Sequence, residues 1–289
     1  MKSLLFVPAD SERKLAKAES CGADAMVIDL EDAVLPARKP LAREMLGAYA
    51  AAYTGKSELW VRVNDLASGE LLKDLAAVVP MQPVGIVLPK ISGPEDLDIV
   101  GYYLDMAEAA NNVPAGQTKI LAVCTETASA VLRMGELVQR HRPRLTGMLW
   151  GGEDLSTALG AGDPRYPDGR WRSMYEYARN QCLLACHSLG IEAIDTVYVD
   201  FRNPDGCRDN SLAARYDGFV GKVAIHPDQV PIINAAFTPS DDEIAHARKV
   251  IAAFAQGAGA VSLDGKMLDV PHLKSAQQML RSAGLTQED

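Results

Sequence analysis

The chain alternates eight short apolar runs with polar turns and seven longer stretches of helical spacing. Apolar runs of strand length occupy residues 3–7, 25–30, 58–63, 84–88, 120–123, 145–150, 193–199 and 220–225. They are near-continuous rather than alternating, as parallel strands are when both of their faces are covered. Between them the spacing predicts helices over 11–21, 40–53, 71–79, 94–110, 129–139, 171–189 and 211–217. Ser11 fits an N-cap and Gly22 a stop. The repeats predict a (β/α)8 TIM barrel over residues 1–238, with a doubly wound open sheet as the alternative.

The pattern changes after Pro239. SDDEIAHARKVIAAFAQ reads as a helix with acids in its first turn and basic residues later, matching the helix dipole. Gly257 and Gly259 follow, then apolar Val261, Leu263, Met267 and Leu268 interspersed with Asp264 and Asp269, then a last helix. Residues 239–289 are expected to form a C-terminal lid or oligomerisation segment.

Two of the runs end abruptly at acids. LAVCTETASA, residues 121–130, delivers Glu126, and LWGGEDL, residues 149–155, delivers Glu153 and Asp154. A barrel builds its site from residues at the C-terminal ends of its strands. Two carboxylates from consecutive strands would form a metal site suited to Mg2+, which takes oxygen ligands and keeps several waters. The alternative is that both acids cap the following helices, since Thr125, Thr127 and Ser156 are capping types. Other strand ends carry Asp10 and Arg13, Asp29 with Glu31 and Asp32, Arg62, Lys90, Asp200 and His226. Arg62, inside WVRVND, must find an anion or stay unpaired at a cost. Beside a metal it would make an electrophilic pocket for a 2-oxo or 2-hydroxy carboxylate. Lys90 offers a second chemistry, a Schiff-base lysine.

A net charge of −9 argues against a nucleic-acid surface, but leaves room for a small anionic substrate held by a few local cations. The five cysteines form no disulfide framework. Cys182, Cys186 and His187 allow a metal reading, but no second ligand pair accompanies them, and helix packing is favoured. No apolar run approaches the ~20 residues of a membrane span, and the N-terminus does not resemble a signal peptide. The expected setting is reducing and cytoplasmic. There is no G-x-S-x-G elbow and no P-loop, and GGEDLSTALGAG lacks the spacing of a dinucleotide fingerprint.

SLLFVPADSERKLAKA, DAMVIDLEDAV, WVRVND, GIVLPKI, TETA, GGEDLS, AIDTVYVDFRNPDG, GFVGKVAIHPDQV and DGKMLDVPH occur in this order. These blocks resemble the citrate lyase β-subunit-like family, acyl-CoA lyases of the HpcH/HpaI aldolase superfamily. The resemblance runs from Ser3 to about Ala276. It implies a Mg2+-dependent barrel that cleaves or forms a carbon–carbon bond between an acyl-CoA and a 2-oxo acid, usually as a trimer or hexamer. By position, Glu126 and Asp154 resemble the metal ligands, and Arg62, with Glu126, the group that meets the substrate's carboxylate or oxyanion. Phe6, Arg13 and Lys17 fall where members hold CoA, and Ala224 and Ile225 where a backbone segment lines the thioester. Asp269 matches a C-terminal acid supplied by a neighbouring subunit. Arg13 and Lys17 lie one helical turn apart and suit a phosphate clamp, the alternative being a solvated basic stripe. Asp269 is otherwise a surface acid or a helix cap.

Two departures stand out: Ala9 replaces the usual glycine of the VPG turn, and LWGGED sets a Trp and tandem glycines beside the metal position. The presence of Asp269 favours a free-standing citramalyl-CoA or malyl-CoA lyase, releasing pyruvate or glyoxylate. The alternatives are a citrate lyase β subunit within a complex and a barrel that binds CoA esters without turnover.

Overall fold

The computed structural model describes residues 1–255 and 259–285. Eight parallel strands close into a barrel in chain order: β1 (Ser3–Pro8), β2 (Ala25–Asp29), β3 (Glu58–Arg62), β4 (Gly85–Leu88), β5 (Lys119–Val123), β6 (Leu145–Leu149), β7 (Glu192–Asp195) and β8 (Gly221–Ala224). Closure comes from β8 pairing with β1, Val223 beside Leu4. The expected TIM barrel is therefore what the chain adopts. Inside it, Leu4, Ala25, Val27, Trp60, Val87, Leu121, Leu149, Ile194 and Val223 belong to one buried cluster, with Phe6 at its edge. Gly85 is dictated by this packing. A Cβ there would stand 2.4 Å from the Lys119 carbonyl oxygen and 2.5 Å from the Trp60 indole.

The surrounding helices are α1 (Glu12–Glu19), α2 (Lys39–Ala52), α3 (Leu71–Val78), α4 (Pro94–Ala110), α5 (Ala128–Leu132), α6 (Met134–Leu137), α7 (Gly152–Ala158), α8 (Ser173–Leu189), α9 (Pro204–Asp217) and α10 (Gln229–Ala236). Several boundaries differ from the sequence reading. The helix expected over 129–139 breaks at Arg133, whose guanidinium is held by Glu95 and Glu136. A short helix not among those expected, α7, opens within GGEDLST, because Gly151 supplies an extended N-cap and two acids fill the first turn. The seventh strand stops at Asp195, not near residue 199. Beyond it the Tyr198 carbonyl is taken by the Gln229 amide, and Val199 to Asn203 turn back on themselves. Helix α9 then starts at Pro204, seven residues before the expected start. Asn203 caps it by accepting from the Gly206 N–H, and Pro204 fills the first turn.

The described chain divides into two compact units, Met1–Asn234 and Ala235–Asp289. The second holds α11 (Asp241–Phe254), strands β9 (Ala260–Leu263) and β10 (Lys266–Asp269), and α12 (Val270–Ser282). Ser240 and Glu243 form a capping box on α11. The β9–β10 hairpin was not expected. Asp264 and Gly265 join its strands with φ of 49° and 75°, the Asp-Gly signature of a tight hairpin turn. Ala247, Val250, Leu268, Ala276 and Leu280 form the core of this unit. Gly257, the expected exit point, lies outside the described residues. Among the described residues no helix is long and apolar enough to cross a membrane.

Candidate active site

Parallel register sets the site. Asp29 and Arg62 are Cα partners at the ends of β2 and β3. Arg62 Nε donates to Asp29 Oδ1 at 2.7 Å and Nη2 to Oδ2 at 2.6 Å, while Nη1 stands 3.0 Å from Glu31 Oε2. The same Asp29 carboxylate accepts the N–H groups of Glu31 and Ala33. Burial works against the Arg62 charge. The hydrogen bonds from Asp29 and the fields of Asp29, Glu31 and Glu126 outweigh it, so the guanidinium is held charged. Its anion is thus built into the chain, and two of its five donors are committed to Asp29. The guanidinium also lies 5.0 Å above the Phe6 ring.

Glu126, after β5, is 4% exposed, and its Oε2 accepts the Lys90 N–H at 2.6 Å. Burial first, then the charges of Asp154 and Glu31, push its carboxyl up to about 8, against the Lys90 N–H and Arg62. It does not cap α5, since Thr127 Oγ1 accepts the Ala130 N–H there. Asp154, in the first turn of α7, does sit where a helix favours an acid, yet its carboxylate also lies 3.7 Å from Lys90 Nζ. Gly151 packs directly against Glu126. A Cβ would stand 2.7 Å from Glu126 Cγ.

Lys90 links these groups. Its Nζ lies 2.5 Å from Glu31 Oε1 and 2.9 Å from Asp32 Oδ2. Burial opposes its charge, but the hydrogen bonds to Glu31 and Asp32 raise its pKa above that of an ordinary lysine. An ammonium tied to two carboxylates is not the free amine a Schiff base requires. Trp150 lines the cavity that holds Arg62, Glu126 and Asp154. Its indole N–H donates to buried Asp195 at 2.6 Å, and its ring meets Trp171 edge-on at 4.8 Å.

Phe6, Arg62, Glu126, Trp150, Asp154 and Ile225 line one cavity of about 820 Å³ at the barrel mouth. Arg13, Lys14 and Lys17 of α1 line it too; all three are exposed, and none has an ion pair among the described residues.

Residues 2–227 match the family HpcH/HpaI aldolase/citrate lyase. The chain belongs to that family. The (3S)-malyl-CoA thioesterase of Cereibacter sphaeroides is 36% identical over 288 residues, covering 98% of this chain and 94% of that protein. The mitochondrial citramalyl-CoA lyase of Rattus norvegicus is 32% identical over 301 residues, covering 98% and 86%. The crystal structure of CitE from Mycobacterium tuberculosis in complex with magnesium, acetoacetate and coenzyme A superimposes with a TM-score of 0.84 at 32% identity, covering 98% of both chains.

Within this HpcH/HpaI-family barrel, most of the residues singled out from the sequence meet at one mouth. Ala224 does not reach the cavity; it is fully buried in the β8 ladder beside Leu5, while the next residue, Ile225, lines the wall. Asp200 is exposed and lies off the cavity, and the acid that ends β7 is Asp195, buried with Lys222 at 2.5 Å. Asp269 belongs to the second unit, at the N-cap position of α12, where its Oδ1 lies 2.5 Å from His272 Nδ1. Cys124, Cys182 and Cys186 are fully buried; neighbouring thiols and burial raise the Cys182 and Cys186 pKa values, as packing residues rather than thiolate ligands. Lys14 and the bridging part of Lys90 were missed. Lys14 was legible one position from Arg13 on the same basic turn. Nothing local marked Lys90 as a hub.

Proposed function

We propose that the protein is a Mg2+-dependent carbon–carbon lyase. It cleaves a 3-hydroxyacyl-CoA such as citramalyl-CoA or malyl-CoA into an acyl-CoA and a 2-oxo acid, pyruvate or glyoxylate. The observation that carries this reading is Glu126, a carboxyl pushed up to about 8 by burial and by Asp154, in a cavity also lined by Arg13, Lys14 and Lys17, cations with no ion pair among the described residues. A buried acid whose ionisation is opposed by a second acid beside it calls for a cation between them. The donor set is all oxygen, which suits Mg2+. Among the described residues no three His, Cys, Asp or Glu side chains converge as a metal site, so water and substrate oxygens would complete the shell around Glu126 and Asp154.

When bound, Mg2+ supplies Lewis acidity toward the C–O bond that becomes the ketone. The chain's own groups do the rest. Arg62, fixed by Asp29, presents its remaining donors to the carboxylate or oxygen of the forming 2-oxo acid. Arg13 and Lys17, with Lys14, hold the CoA phosphates, and Phe6 and Ile225 flank the thioester arm. As the substrate hydroxyl gives its proton to solvent, its oxygen becomes the ketone of the 2-oxo acid, the C–C bond breaks and that bond's electron pair moves onto the acyl-CoA α-carbon. Asp269, supplied by a neighbouring subunit of a trimer or hexamer, protonates that carbon and acts as base in the reverse direction. The similarity to a citramalyl-CoA lyase and to a magnesium- and CoA-bound structure supports this chemistry.

The test is incubation with Mg2+ and a panel of malyl-, methylmalyl- and citramalyl-CoA, followed by identification of the products. A 2-oxo acid together with an acyl-CoA is expected. Free CoA with an intact hydroxy acid would indicate thioester hydrolysis instead, and no product from any member would overturn the reading.

A further inference from the structure

Strand β4 lies between β3, which ends at Arg62, and β5, which leads to Glu126. The residue that leaves β4 after Pro89 therefore stands in the middle of the charged cluster. That residue is Lys90, and its backbone is left-handed, with φ of 52°. A side chain with a Cβ disfavours that conformation, which persists only where its surroundings fix it. Here the turn aims the Lys90 N–H at Glu126 Oε2, 2.6 Å away. The side chain runs the other way, to Glu31 and Asp32, with Asp154 next at 3.7 Å.

The charges around it do not balance without it. Asp29 and Glu31 engage Arg62. Asp32 and Asp154 have no cation other than Lys90 among the described residues. Lys90 does not line the cavity, so it acts through the acids it holds rather than on a substrate.

We propose that Lys90 is a positioning residue whose ammonium is a built-in counter-cation. It holds Glu31, Asp32 and Asp154 together before a divalent ion arrives, and competes with that ion for Asp154. The inference rests on Glu126 and Asp154 being cation ligands. A purely structural lysine would stabilise the fold without affecting cation affinity. A counter-cation makes the opposite pair of demands: its loss weakens the metal-free protein and strengthens divalent binding, because one unit of positive charge has left the site.

The experiment titrates Mg2+ into the purified full-length protein by calorimetry, and records melting with and without the ion. Lys90→Met should bind Mg2+ about tenfold tighter than the parent and melt lower in EDTA, with the gap closing at saturating Mg2+. Lys90→Arg, which keeps the charge, should retain the parent affinity. Lys90→Gly keeps the N–H and suits the left-handed turn, so it should match Lys90→Met in affinity while melting higher than it without metal. Equal or weaker Mg2+ binding by both the Met and Gly variants, alongside normal binding by the parent, would overturn this inference alone. No Mg2+ binding by the parent would overturn the cation site itself, and this inference with it.

Discussion

Asp29 and Arg62 sit side by side across the β2–β3 pair and are joined by two parallel hydrogen bonds of 2.7 and 2.6 Å. Asp29 is 1% exposed and also accepts two backbone N–H groups, so neither partner can rotate away. The arginine that meets the substrate in the proposed reaction is therefore oriented before the substrate arrives, and the cost of ordering it is met during folding.

Asp29→Asn should loosen this arrangement. Removing one charge of a buried pair typically costs about 3–5 kcal/mol of stability. A displaced Arg62 should lower kcat/KM by about a hundredfold, since a shift of order 1 Å costs that much. Denaturant melts and steady-state kinetics on the same preparation check both. Unchanged kinetics in a destabilised variant would show that the clamp is structural only.

Stability should depend on pH through Glu126. Its carboxyl titrates at 4.5 in an unfolded chain and at about 8 in the folded one. Between these values the native state keeps a proton that the unfolded state has released. Stability is thus greatest below pH 4.5 as far as this group is concerned, and is lost as pH rises through about 8, by up to about 1.4 kcal/mol per pH unit. The melting temperature in EDTA should fall between pH 6 and 8.5 by this route, and Glu126→Gln should flatten the slope. Mg2+ favours the ionised form, so its stabilising shift should grow across the same range. A wild-type profile as flat as that of the Gln variant would refute the assignment.

Replacing Arg13 and Lys17 with Ala should raise KM for a CoA ester while leaving kcat at saturation intact. Two charge-assisted contacts at an exposed rim suggest about 1–3 kcal/mol in all. Adding Lys14→Ala should raise KM again, and the effect should shrink at high salt. An unaltered KM would return α1 to a solvated basic stripe.

Subunit mixing tests Asp269. Inactive Asp269→Ala and inactive Glu126→Ala chains, combined under conditions that allow exchange, should regain activity if the acid is supplied by a neighbour, because some sites then hold an intact Glu126 and an intact Asp269. No recovery despite demonstrated exchange would place the acid in the same chain, or outside the chemistry altogether as the partner of His272 in capping α12.

The sequence by itself determined the architecture. Strand-length apolar runs, helix stops and repeat number are local properties, and each run needs only its own composition to be recognised. It also placed Glu126, Asp154 and Arg62 at strand ends, which closure of the barrel turns into a single mouth. Local signals alone also held some features that went unread: the Asp264–Gly265 hairpin and the Asn203–Pro204 helix start.

What the tertiary structure decided is which charge meets which. Asp29 finds Arg62 across 33 positions, Lys90 finds Glu126 across 36 and Glu31 across 59. Those pairings depend on the register of adjacent parallel strands and on one left-handed turn, and nothing in a single run encodes either. The seventh strand shows the same limit. Its apolar composition continues to residue 199, but Asp195 and not Asp200 ends it, because Lys222 from the neighbouring β8 and Trp150 beyond β6 meet that carboxylate there. A buried charge settles where partners from other strands converge, and only the closed barrel brings them together.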